Sequence, residues 1–137
     1  MLKQVPSSIS RLDELFLWRC GRDPQATAYA YVRDDLEIGE EYTYDRLAGR
    51  VHSLASQLRR HAEPGARVLL LFSPGLEVVC GFWASILADL IPVPAPPPDP
   101  LRSRYSLPGL RAILEDASVS LVVTTSGVEA ALANVPD

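Results

Sequence analysis

Residues 67–100 read RVLLLFSPGLEVVCGFWASILADLIPVPAPPPDP, and three elements and two turns follow one another within them. Arg67 to Phe72 is an unbroken apolar run behind a single charge, the pattern of a strand buried on both faces of a parallel sheet. Ser73, Pro74 and Gly75 stop it. From Leu76 to Asp89 the positions Val78, Val79, Cys80, Phe82, Trp83, Ile86 and Leu87 reach nearly all the way round a helix, leaving one narrow row of Glu77, Gly81, Ser85 and Asp89. Such a helix belongs between two layers, with Gly81, Ala84, Ser85 and Ala88 admitting a close neighbour. Leu90 to Pro94 returns as a short strand, so the unit is a right-handed strand, helix, strand crossover of a doubly wound sheet.

The flanking segments extend this pattern. Ser10 and Asp13 have capping-box spacing ahead of an amphipathic helix whose face is Ile9, Leu12, Leu15 and Phe16 and which ends at Gly21. Ala26 to Val32 alternates, with Tyr29 and Tyr31 opposite Ala28, Ala30 and Val32. After the polar loop 33–39, Glu40 to Thr43 completes an expected β-hairpin whose Tyr-rich face covers something. Thr43 caps the next helix, with Leu47, Val51, Leu54, Ala55 and Leu58 inward and Arg46, Arg50, Arg59, Arg60 and His61 outward. Pro64 and Gly65 end it. Past the prolines, Leu107, Leu110, Ile113 and Leu114 keep helical spacing, Ser120 to Thr124 is a third buried strand, and Ser126 with Glu129 caps a last helix. The expected fold class is α/β, a mainly parallel doubly wound sheet with a preceding β-hairpin.

The 137 residues fit one domain with a core of its own. A net charge of -4, from 13 basic and 17 acidic residues, disfavours nucleic acid as a partner. Cys20 and Cys80 match no metal-ligand spacing and are expected to be reduced thiols in a cytoplasmic protein. No apolar run is long enough for a membrane span.

Candidate chemistry is sparse. The turn at Ser73 and Gly75 lies where a parallel strand ends and a helix begins, a position that binds ligands in open α/β folds. It lacks the G-x-G-x-x-G and P-loop patterns, and Glu77 in the first helical turn disfavours phosphate. Ser73 and Gly75 are therefore substrate-binding candidates by position alone, against a plain tight turn. Pro94 and Pro97 match P-x-x-P, yet the proline-rich loop 94–100 reads better as a stiff exit from a strand. The arginine row reads as a solvated helix face, and His52 and His61 have no ligand-spaced partners. No catalytic residue and no metal site emerges.

Several stretches in order resemble a known family: Glu41-Tyr42-Thr43-Tyr44-Asp45-Arg46-Leu47, Pro64 to Phe72, Pro74-Gly75-Leu76-Glu77, Phe82-Trp83-Ala84-Ser85, Ile91 to Pro98, Leu110 to Asp116 and Leu121 to Thr125. Together they resemble the N-terminal part of adenylate-forming enzymes, with the fatty acyl-AMP ligases most similar. The resemblance implies the first subdomain of an adenylate-forming N-terminal domain, with residues 1–137 a single partial domain. It implies activation of a fatty acid with ATP and Mg²⁺ to acyl-AMP and transfer to an acyl carrier protein. The family's phosphate loop, acidic adenylate motifs and catalytic lysine would all follow the equivalent of Asp137, so the chain is expected to be an inactive N-terminal piece that binds no cofactor by itself. Asp89 stands where the family has glycine, and Ala84-Ser85 replaces a common Gly-Cys pair. Two alternatives stay open: an association module that complements a separate chain, and a flavodoxin-like nucleotide binder using Ser73. An uncovered apolar layer and sheet edge are expected to favour self-association.

Overall fold

The computed structural model describes residues 4–99 and 103–133. Its elements are α1 (Leu12–Arg22), β1 (Thr27–Val32), β2 (Ile38–Thr43), α2 (Tyr44–Leu58), β3 (Arg67–Leu71), α3 (Leu76–Leu87), β4 (Ile91–Ala95), α4 (Ser103–Asp116), β5 (Leu121–Thr124) and α5 (Ser126–Ala133). β1 and β2 form an antiparallel hairpin, while β3 lies between β4 and β5 in a parallel sheet.

The apolar run of β3 is buried on both faces because each face meets a different helical layer. Val68, Leu70 and Phe72 pack with α1, α2 and α3, and Leu69 and Leu71 pack with α4 and α5. β4 is an edge strand, so Pro92 and Pro94 within it leave no ladder bond unmade in a central position. The proline-rich loop is thus two residues shorter than expected at its start, since the strand runs to Ala95; residues 100–102 lie outside the described ones.

α3 sits on the sheet by its small residues. Gly81, Ala84, Ser85 and Ala88 are buried, and a Cβ on Gly81 would stand 2.9 Å from Phe72 Cε2 and 3.3 Å from Leu70 Cδ2. The row that looked polar in sequence is therefore half contact surface: Ser85 satisfies its hydroxyl by donating to the Gly81 carbonyl at 2.8 Å. The large residues Val78, Val79, Phe82 and Trp83 point the other way, toward α1, α2 and the hairpin, and are half-buried.

α3 ends in a Schellman motif. The Leu90 amide donates to Ser85 O at 2.9 Å and the Asp89 amide to Ile86 O at 3.2 Å, with Asp89 at φ 59°. Asp89 thus occupies the left-handed position that glycine takes most easily. Val119 and Ser118 (φ 48°) close α4 in the same way, on Leu114 O and Glu115 O. Gly65, at φ 81° after Pro64, forms the turn into β3.

Three local expectations need correction. At α1 the cap is one residue later: the Glu14 carboxylate accepts from the Ser10 and Arg11 amides at 3.0 and 3.2 Å, while Asp13 pairs with Arg11. At α5 the cap is Thr125 rather than Ser126, its Oγ1 accepting from the Val128 amide at 3.4 Å. In the hairpin, register shifts between Thr27 and Tyr29 and between Ala30 and Val32 break the two-residue alternation. Ala28 and Tyr31 turn toward the core together, so no single Tyr-rich face exists. Thr43 does cap α2, accepting from the Arg46 amide at 3.2 Å.

Candidate functional site

The carboxyl ends of the parallel strands surround a crevice of about 330 Å³. β3 runs into α3 on one face of the sheet, whereas neighbouring β5 runs into α5 on the other. Their exits diverge, which is the topological switch point where open α/β sheets hold ligands. Ser73 contributes from the end of β3, Pro97, Pro98 and Asp99 from the exit of β4, and Thr125, Gly127 and Val128 from the start of α5. Gly75 is not part of the lining. It is the N-cap of α3 in an extended conformation open to any residue, and a Cβ there would have room.

The polar atoms here are largely committed to the fold. Thr124 Oγ1 donates to Leu71 O at 2.6 Å and Thr125 Oγ1 caps α5. Asp99 is the one charged residue among the described residues of the lining. Among the described residues no group of three or more His, Cys, Asp or Glu could hold a metal ion.

The start of α3 is closed in another way. Arg50 donates to both oxygens of Glu77 at 2.9 and 3.2 Å, bringing a clasp over Cys80. Burial pushes the Cys80 thiol up more strongly than nearby Arg50 lowers it, and burial raises the Cys20 thiol as well. Both are free and remain protonated at neutral pH. His52 and His61 are exposed, with His52 Nδ1 donating to Ala48 O at 2.7 Å.

Two features escaped the sequence. A cleft of about 620 Å³ lies between α1, β1, α2 and α3, walled by Phe16, Trp18, Tyr29, Tyr44 and Trp83. Phe16 stacks on Trp83 at 4.7 Å, Trp83 Nε1 donates to Tyr29 Oη at 3.2 Å, and Arg19 lies 4.8 Å over Tyr44. The residues come from four elements, so no local pattern marks them. The second is Tyr42, fully buried with its ring 4.4 Å from the Arg46 guanidinium and 5.3 Å from that of Arg50. These two outward arginines of α2 are thus the lid of a buried tyrosine as well as a solvated face.

An open parallel sheet wound on both faces, entered through a hairpin and carrying its crevice at the strand ends, defines an open α/β fold with a topological switch point. Residues 16–137 match the AMP-binding enzyme family, and the chain belongs to it. It is 31% identical over 115 residues to the medium-chain-fatty-acid acyl-carrier-protein ligase JamA of Moorena producens (strain JHB), covering 84% of this chain and 19% of that protein. It is 32% identical over 108 residues to the long-chain-fatty-acid AMP ligase FadD23 of Mycobacterium tuberculosis (strain CDC 1551 / Oshkosh), covering 77% and 18%. The solved fatty acid AMP ligase of Legionella pneumophila superposes with a TM-score of 0.79 at 27% identity, covering 93% of this chain and 22% of that one. The chain thus spans about a fifth of the length of these relatives. Its fold is that of the first α/β part of adenylate-forming N-terminal domains. No helix among the described residues is long and apolar enough to cross a membrane.

Proposed function

We propose that residues 1–137 form a partial domain, the opening scaffold of a fatty acyl-AMP ligase. In the whole protein a fatty acid is activated with ATP and Mg²⁺ as the acyl-adenylate and passed to an acyl carrier protein, in the cytoplasm, where both buried thiols stay reduced. The observation that carries this reading is the match to a fatty acid AMP ligase over 93% of the chain. On this reading the chain supplies sheet and helices, Ser73 borders the substrate channel, and Gly75 serves only the turn. By itself the chain binds no cofactor and adenylates nothing. ATP–pyrophosphate exchange with medium- and long-chain fatty acids should stay at background for the 137-residue chain, and exchange above background overturns the scaffold role.

A second reading is favoured by one observation: β5 is an edge strand with Val122 46% exposed, and the apolar residues Leu110, Ile113 and Leu114 of α4 are only half-buried. A face of this kind suits association, either with a second copy or with a separate chain that completes the sheet. Mixing the chain with the Legionella pneumophila ligase lacking the matching segment should restore exchange. Absence of any complex on size-exclusion chromatography removes this reading.

A further inference from the structure

Three exposed aliphatic side chains crowd the tip of the hairpin. Val32 and Ile38 are cross-strand partners, 52% and 60% exposed, and Leu36 in the connecting turn is 84% exposed. The tip is ordered rather than frayed: the Arg33 amide donates to Glu37 O at 3.0 Å, the Leu36 amide to Arg33 O at 2.9 Å, and the Glu37 amide to Asp35 Oδ1 at 3.0 Å. The hairpin is a sheet of two strands, and no third strand among the described residues pairs with either outer edge. Core contacts of the hairpin come from Ala28, Tyr31 and Tyr42 and not from Val32, Leu36 or Ile38, so burial among the described residues does not account for the aliphatic tip.

Charge selects what could cover it. Residues 33–41 (RDDLEIGEE) hold five acids against one arginine, a local charge equal to the net -4 of the whole chain, so the remaining residues balance. Two of the acids are answered internally, Asp35 by Arg33 and Glu40 by Arg46. Asp34, Glu37 and Glu41 form no ion pair among the described residues and frame Leu36 and Ile38 with negative charge.

We propose that the tip of the β1–β2 hairpin is a docking surface for a basic amphipathic protein segment, a helix or strand whose apolar side chains are framed by lysine or arginine. Val32, Leu36 and Ile38 supply the apolar contact, and the uncompensated carboxylates supply register and rate of encounter. A second copy of the chain is disfavoured, because two such tips would bring like charges together. This surface shares no residue with the crevice at the strand ends, and it holds whether or not the ligase reading does.

The test uses the intact chain and a fluorescein-labelled amphipathic helix built from leucine and lysine, read by anisotropy, with folding of every variant verified by circular dichroism. The unmodified chain should bind, more weakly as salt rises. Leu36→Ser with Ile38→Ser should lower affinity about tenfold, and Asp34→Lys with Glu37→Lys by at least as much. Glu115→Lys with Asp116→Lys, the same charge change on exposed α4, should leave binding within about twofold. The proposal is overturned if the α4 variant weakens binding as much as the tip variants, or if a leucine and glutamate helix binds equally. Sedimentation analysis showing a dimer that the Leu36→Ser, Ile38→Ser variant disperses also overturns it, since the tip would then be a self-association surface.

Discussion

Replacing Tyr42 by phenylalanine should stabilise the protein, the reverse of the usual result for a buried tyrosine. The residue is fully buried and its hydroxyl has no hydrogen-bond partner among the described residues. An unsatisfied buried hydroxyl costs about 1–3 kcal/mol of desolvation. Phenylalanine keeps the ring beneath Arg46 and Arg50, losing at most a few tenths, ~0.3 kcal/mol, of cation–π attraction. The net gain is about 1 kcal/mol, and with a urea m-value of roughly 2 kcal/mol/M the midpoint should rise by about 0.5 M. Urea titration followed by far-UV circular dichroism reads it, with thermal unfolding as a second measure expected to rise by about 3–5 °C. The same site fixes an alkaline signature. Burial raises the Tyr42 hydroxyl above its ordinary value of 10.0, so the folded state holds its proton where the unfolded chain has lost it. The stability this confers is full below pH 10 and declines as pH rises through the folded value. Tyr42→Phe should flatten that decline. A midpoint that falls on substitution would refute the reasoning, because it would mean that the hydroxyl is satisfied in solution.

Gly81→Ala should destabilise by about 1 kcal/mol, since a methyl forced against Phe72 outweighs the gain in helix propensity; an unchanged urea midpoint would show that the ring moves aside freely. Asp89→Gly should stabilise by about 0.5 kcal/mol by relieving the left-handed backbone, although it removes the exposed Arg11–Asp89 pair at 3.3 Å. Asp89→Ala, which keeps the φ and loses the pair, should move the thermal midpoint the opposite way. Thr43→Ala should cost about 1 kcal/mol through loss of the α2 cap, and Thr43→Ser should recover most of it.

The parallel sheet was legible because its signals are local and redundant. Five consecutive apolar residues from Val68 leave no solvent face, and Pro74 and Gly75 bound them, so strand, turn and helix reinforce one another. The glycine-like role of Asp89 was legible only through the family's pattern, since nothing local demands a positive φ from an aspartate. The hairpin faces were misread because a bulge shifts every later side chain, and bulges carry no reliable residue signature in TAYAYV. The caps of α1 and α5 slipped by one residue because Ser10 and Arg11, or Thr125 and Ser126, are nearly equivalent choices until packing fixes the helix start. The aromatic cleft was not legible at all, since it exists only where α1, the hairpin and α3 converge.

The division of labour in the sheet follows from the sidedness of its crossovers. α3 returns the chain to β4 on one face, and α4 then carries it back across to β5 on the other, which leaves β3 central and opens the crevice between the exits of β3 and β5. The α1, α2 and α3 layer is closed by Tyr42, Leu47, Val51 and Leu70, each fully buried. The α4 and α5 layer has only Leu69, Leu71, Ala95 and Val128 buried and leaves its own leucines half in water. Hydrophobic stabilisation scales with the area removed from water, so the first layer holds the fold while the second has apolar surface still to bury. That unfinished layer adjoins the crevice through Val128 and Leu132. On the scaffold reading proposed above, a partner that covered this layer would also wall the crevice, because Val128 and Leu132 belong to both.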